Sequence, residues 1–124
     1  MPGGSESLWS LIYINQVADR IREALAPLEE KIDVAVIFGS WARGDQQPDS
    51  DIDLLMIGDV PLQEVSKALQ DVGRELGREI NPVVMSPEEF RQRLSDGDHF
   101  ATRLVNGRTL QVIGDPDELE GMAR

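Results

Sequence analysis

Apolar residues along this chain return in two rhythms, and the switches between them lay out the elements. From Leu8 to Leu28 the positions Leu8, Leu11, Ile12, Ala18, Ile21, Leu25 and Leu28 recur at steps of three and four, which predicts one long helix with a single buried stripe. Pro27 should kink or end it, because proline brings no N–H to the helix ladder. The runs Ile32 to Phe38 and Ile52 to Ile57 are short, apolar and β-branched, and predict strands with at least one buried face. After Pro61 the helical rhythm returns at Leu62, Val65, Leu69, Val72 and Leu76, with Gly77 placed as a terminator.

Glu79 to Met85 predicts a third strand, which Pro82 limits to an edge or a bend. Ser86-Pro87-Glu88-Glu89 reads as a helix start: Ser86 at the N-cap, proline at the first helical position, Glu89 as the capping-box acid. A further helix is expected around Phe100 to Val105, ending at Asn106-Gly107, and a last strand from Thr109 to Ile113, closed by Gly114-Asp115-Pro116. Strand directions do not follow from this order. One α+β domain does, a mixed sheet with helices packed on it, expected over residues 8–116 between a flexible tail at 1–7 and a short tail at 117–124. With 124 residues the chain holds one core and not two.

Between the first two strands lies Phe38-Gly39-Ser40-Trp41-Ala42-Arg43-Gly44, then turn chemistry at Gln47-Pro48-Asp49-Ser50, then Asp51-Ile52-Asp53. Side chains alternate faces along a strand, so Asp51 and Asp53 project to one side about 7 Å apart. Such a pair of carboxylates suits hard divalent cations, and Mg²⁺ takes one or two protein carboxylates with substrate phosphate and water completing its shell. Gly39 permits close backbone approach, and the start of a short helix at Ser40 offers N–H groups to an anion. Arg43 can reach the same phosphates or pair with Asp45 or Asp49. Asp-x-Asp alone, or Gly-Ser alone, is commonplace; joined at this spacing between two apolar strands they outline a nucleoside triphosphate site.

The formal charge of −11 argues against nucleic acid as a partner, since no basic stripe is evident along the chain. No apolar run approaches the roughly 18 residues of a membrane span, no leader is evident at the start, and there is no cysteine, so a cytoplasmic protein is expected. His99 is the single histidine and has no zinc-binding company. Trp41 could stack on a base but sits among apolar neighbours and reads as packing. Asp96, Asp98, Asp115 and Asp117 lie in turn-like sequence and read as caps.

Gly39-Ser40, ten intervening residues and Asp51-x-Asp53, within Phe-Gly-Ser-Trp-Ala-Arg-Gly and Ser-Asp-Ile-Asp-Leu, resemble the minimal nucleotidyltransferases of the DNA polymerase beta superfamily, the MNT group. The resemblance spans roughly Ile32 to Ile113. It implies an α+β nucleotidyltransferase core, Gly39 and Ser40 on the triphosphate of ATP or another nucleotide, Asp51 and Asp53 on Mg²⁺, and nucleotidyl transfer with release of pyrophosphate. Several MNT proteins act as antitoxins that place AMP on a partner HEPN toxin, so a HEPN-like protein is the implied acceptor.

Members of that superfamily usually carry a third acid on a later strand, where this chain has Asn81. An amide cannot take a proton. Glu79, two residues earlier and on the same strand face, could substitute, or could simply be the polar end of the strand. Two expectations therefore stand: an Mg²⁺-dependent transfer of AMP to a protein hydroxyl with Asp51, Asp53 and Glu79 as catalytic residues, or a nucleotide- or partner-binding module of the same fold in which chemistry is weak or absent. Transfer to a small molecule such as an aminoglycoside is disfavoured by size, unless a homodimer supplies the missing walls.

Overall fold

The computed structural model describes residues 2–44, 51–115 and 117–122, with side chains from residue 12 onward. Helix α1 (Pro2–Leu25) leads through a 3₁₀ segment (Ala26–Lys31) into strand β1 (Ile32–Phe38), followed by the single-turn helix α2 (Ser40–Arg43) and strand β2 (Ile52–Gly58). Then come α3 (Leu62–Leu76), β3 (Ile80–Met85), α4 (Pro87–Ser95), α5 (His99–Asn106), β4 (Leu110–Ile113) and α6 (Glu118–Met122). Pro27 falls where the α-helix gives way to the 3₁₀ segment, as expected of a residue without an N–H. The stretch read as an N-terminal tail is taken into α1 from Pro2 on, and the C-terminal stretch forms α6, whose Leu119 is buried. Both ends gain structure because α1 is one continuous helix and α6 covers part of the sheet. The turn at Gln47-Pro48-Asp49-Ser50, with Asp45 and Asp49 as partners for Arg43, lies outside the described residues, as do Pro116 and the side chains of Leu8 and Leu11.

The four strands stand in the order β3-β2-β1-β4. β1 is antiparallel to β2 and to β4, while β2 and β3 are parallel, joined by the α3 crossover. This is the mixed sheet of an α+β fold. β3 is an edge strand, where Pro82 is tolerated because no neighbour needs its N–H.

Both faces of the sheet are covered. Val17, Ile21 and Leu25 of α1 and Val65, Leu69 and Val72 of α3 pack with Ala35, Ile37, Leu54 and Met56. On the other face Phe90 of α4, Ala101 and Leu104 of α5 and Leu119 of α6 pack with Val34, Val36, Leu55 and Ile57. A strand buried on two sides has no polar face, which is why β1 and β2 read as near-continuous apolar runs. Each large side chain so buried stabilises by roughly 1.5–3 kcal/mol.

Local chemistry fixes the ends. Gly77 takes the left-handed conformation (φ 66°) that closes α3. Ser86 Oγ accepts from Glu89 N at 3.0 Å and caps α4. The Glu89 carboxylate, expected to reach back to the cap, instead accepts from Arg93 Nη2 at 3.1 Å, one turn along the same helix.

Candidate active site

β1 ends at Phe38, and the chain turns through Gly39 at φ 77° and ψ −148°, a conformation essentially reserved for glycine. α2 follows at once: Arg43 N donates to Gly39 O at 3.1 Å and Gly44 N to Ser40 O at 3.0 Å. The first-turn N–H groups of this helix precede its ladder and face away from it. Trp41 anchors α2 from below at 2 % exposure, tilted against Tyr13 with ring centroids 5.7 Å apart and with the Arg78 guanidinium 4.7 Å from its ring. Its indole is part of the core, as packing.

β2 brings the carboxylates to this turn. Phe38 pairs with Asp53 across β1 and β2, and Asp53 pairs with Asn81 across β2 and β3. A Cβ on Gly39 would lie 2.8 Å from Asp53 Oδ2, so the Gly39 turn and the carboxylate stand against one another. Asp51 is exposed just ahead of β2, and Asp53 is half-buried within it. Asn81 Nδ2 donates to Asp51 Oδ2 at 3.3 Å. Burial pushes the Asp53 carboxyl above its ordinary pKa, a hydrogen bond from Asn81 acts against that, and the neighbouring charge of Asp51 adds to it. One amide thus touches both acids of a strained pair.

Crowded oxygen donors of this kind fit a hard cation, which would offset both the burial that chiefly raises Asp53 and the repulsion from Asp51 that adds to it. Among the described residues no third Asp, Glu, His or Cys joins Asp51 and Asp53. Glu79 lies one residue ahead of β3; its carbonyl accepts from Ile52 N at 2.9 Å, so its backbone flanks the pair, while the residue borders the groove between β3 and α3. Asn81, not Glu79, is the side chain in register with Asp53.

A cleft of about 600 Å³ opens beside Gly39, between α2 and α5. Phe38, Phe100 and Leu104 form apolar walls, with Arg43, His99, Arg103 and Arg108 around them. Phe38 and Phe100 meet edge to face at 5.5 Å. Its size suits a nucleotide-sized ligand. The chain's basic residues, scattered in sequence, are therefore partly gathered in space. Arg103 and Arg108 carry no motif of their own, and only the pairing of β4 with β1 brings Arg108 here.

A nucleotidyltransferase-domain family profile matches residues 18–105, a span holding the turn, both aspartates and α5 up to its last turn. The chain belongs to the nucleotidyltransferase family. Its similarity extends to "Putative protein adenylyltransferase MJ0604" of Methanocaldococcus jannaschii, 35 % identical over 94 residues that cover 73 % of this chain and 93 % of that protein. A second protein of that organism, "Putative protein adenylyltransferase MJ0141", is 39 % identical over 49 residues, 38 % of this chain and 50 % of its own length. Among solved structures, a chain from a toxin–antitoxin complex with AMP-PNP shares the fold at a TM-score of 0.58 and 19 % identity, covering 86 % of this nucleotidyltransferase and 80 % of that chain. A chain from the complex of tri-AMPylated Shewanella oneidensis HEPN toxin with MNT antitoxin does so at 0.54 and 16 %, covering 89 % and 80 %. The family implied by the Gly39-Ser40 and Asp51-x-Asp53 motif is the family found. No helix among the described residues is long and apolar enough to cross a membrane.

Proposed function

We propose that this nucleotidyltransferase moves AMP from ATP onto a hydroxyl of a protein partner and releases pyrophosphate, with a HEPN-like protein as the acceptor of a toxin–antitoxin pair. The observation that carries it is the close approach of Gly39 to Asp53, which supports an anion-binding role for the turn beside a cation-binding role for the carboxylates. The adenylyltransferase names of the relatives support the nucleotide and the class of acceptor, and the HEPN complex with a shared fold names the partner to try first.

In this mechanism Gly39 and Ser40 hold the triphosphate through backbone N–H groups and the Ser40 hydroxyl, and Arg43 adds charge to the same phosphates. Asp51 and Asp53 would hold Mg²⁺, which neutralises phosphate charge and polarises the α-phosphate. Asn81 keeps the two carboxylates in place by donating to them, and it cannot accept the proton of the incoming hydroxyl. Glu79 is the candidate for that task, reaching in from the start of β3. A cytoplasmic setting, where ATP and Mg²⁺ are plentiful, accords with this role, and a homodimer is one way for so short a chain to enclose its acceptor.

Incubation with α-labelled ATP, Mg²⁺ and the product of the adjacent gene tests the proposal: label on the partner, lost in Asp51→Ala and Asp53→Ala, is expected. No transfer by the wild type, or equal transfer by those variants, refutes it. Asn81 motivates a second reading, a nucleotide-binding module with weak chemistry. Calorimetry that finds ATP binding without turnover, with turnover appearing in Asn81→Asp, favours the module.

A further inference from the structure

One row of residues crosses β3, β2 and β1 at the end of the sheet that carries the site. Asn81 on β3 faces Asp53 on β2, and Asp53 faces Phe38 on β1. On the other side β4 runs antiparallel to β1 with Val36 opposite Gln111 and Ile37 opposite Leu110. Arg108 lies two residues ahead of β4 and Gly39 one residue after β1, and both line the same cleft. Arg43 and, from α5, Arg103 line it as well.

Among the described residues lining the cleft with Arg103 and Arg108, the one acid is Asp98, whose carboxylate is engaged as the cap of α5, accepting from Ala101 N at 3.0 Å. Among the described residues, neither the Arg103 nor the Arg108 side chain is held in an ion pair or hydrogen bond. A chain of formal charge −11 has thus placed a cationic cleft next to its phosphate-binding turn.

We propose that Arg108, assisted by Arg103, binds the β- and γ-phosphates and stabilises the departing pyrophosphate; this rests on the nucleotidyl-transfer reading above. The sheet supplies the direction. The carboxylate pair on β2 marks where the α-phosphate sits, the turn after β1 comes next, and the arginine ahead of β4 lies beyond it, away from the open β3 edge. In the transfer the acceptor oxygen bonds to the α-phosphorus, the bond from that phosphorus to the bridging oxygen breaks, and its electron pair leaves with pyrophosphate. The hydroxyl proton passes to Glu79, the base named above. Negative charge grows on the pyrophosphate side as this happens, so a planar guanidinium there binds the transition state more tightly than the ground state.

Titration calorimetry of the full chain in Mg²⁺ with a non-hydrolysable ATP analogue, pyrophosphate and AMP tests the assignment. Arg108→Gln should weaken the analogue and pyrophosphate by about tenfold or more, Arg103→Gln by less, with AMP held within about twofold. Arg108→Lys should recover part of the loss, since it restores charge without the fork. The assignment is overturned if Arg108→Gln binds pyrophosphate like the wild type, or if AMP and the analogue weaken equally, which would place the arginines on the nucleoside. Should Arg108→Gln melt well below the wild type, Arg108→Met decides, since it keeps the apolar stem and removes the charge: a methionine variant that melts normally yet binds pyrophosphate unchanged also overturns it. Wild-type protein that binds none of the three titrants rejects the nucleotide site itself, and the assignment with it.

Discussion

Gly39 stands against Asp53 so closely that a Cβ at position 39 would sit 2.8 Å from the Asp53 carboxylate. The same glycine holds φ 77°, so a side chain there is refused twice, by space and by backbone. Gly39→Ala should lose about 1–3 kcal/mol of stability and at least tenfold, roughly, in affinity for an ATP analogue. Gly44 is the control: it also has positive φ, at 81°, but nothing lies within 4 Å of its Cβ position. Gly44→Ala should cost about 1 kcal/mol and leave binding nearly intact, as denaturant titration and calorimetry would show.

Asp53 sits above its ordinary carboxyl pKa because of burial first and the charge of Asp51 after the opposing Asn81 hydrogen bond. The folded protein therefore retains a proton that the unfolded chain releases. Below the ordinary value of 3.8 this group has no effect on stability; as pH rises above it through the folded pKa, stability is lost, and it stays lost at neutral pH. Asp53→Asn keeps the shape and removes the charge. It should melt slightly higher than the wild type near neutral pH, converge with it in acid, and lose AMP transfer by about a hundredfold or more.

Asn81 donates to Asp51 where a third acid would repel it. Asn81→Asp should lower the melting temperature in metal-free buffer, regain it on addition of Mg²⁺, and bind Mn²⁺ about tenfold more tightly by electron paramagnetic resonance. Unchanged metal affinity would show that position 81 does not face the cation.

Trp41 is the foundation of α2, buried at 2 % exposure between Tyr13 and Arg78. Trp41→Ala should cost about 3–5 kcal/mol in denaturant unfolding, while Trp41→Phe should cost far less and preserve nucleotide binding. Arg78→Met should remove about 0.5–2 kcal/mol of cation–π stabilisation.

The elements were legible in the sequence wherever one physical rule dominated. The three-and-four rhythm of Val65, Leu69 and Val72 marked α3, Gly77 ended it, and Ser86 capped α4 as its hydroxyl chemistry demands. Strand order was not legible, because apolar runs buried on both faces carry no information about their neighbours. For the same reason the position of Arg108 beside Gly39 escaped detection: it depends on β4 pairing with β1, far away in the chain. The Gly39-Ser40 and Asp51-x-Asp53 pattern pointed to the family because its spacing is local. Glu89 shows the limit of motif reading, since the acid expected at the cap found Arg93 one turn along.

The intact mass of the HEPN-like partner, purified after co-expression with this protein, tests the central claim most directly. The account predicts partner molecules heavier by one or more AMP units with the wild type and unmodified partner with Asp51→Ala or Asp53→Ala. Unmodified partner in every case, from a complex that still binds ATP, would contradict it.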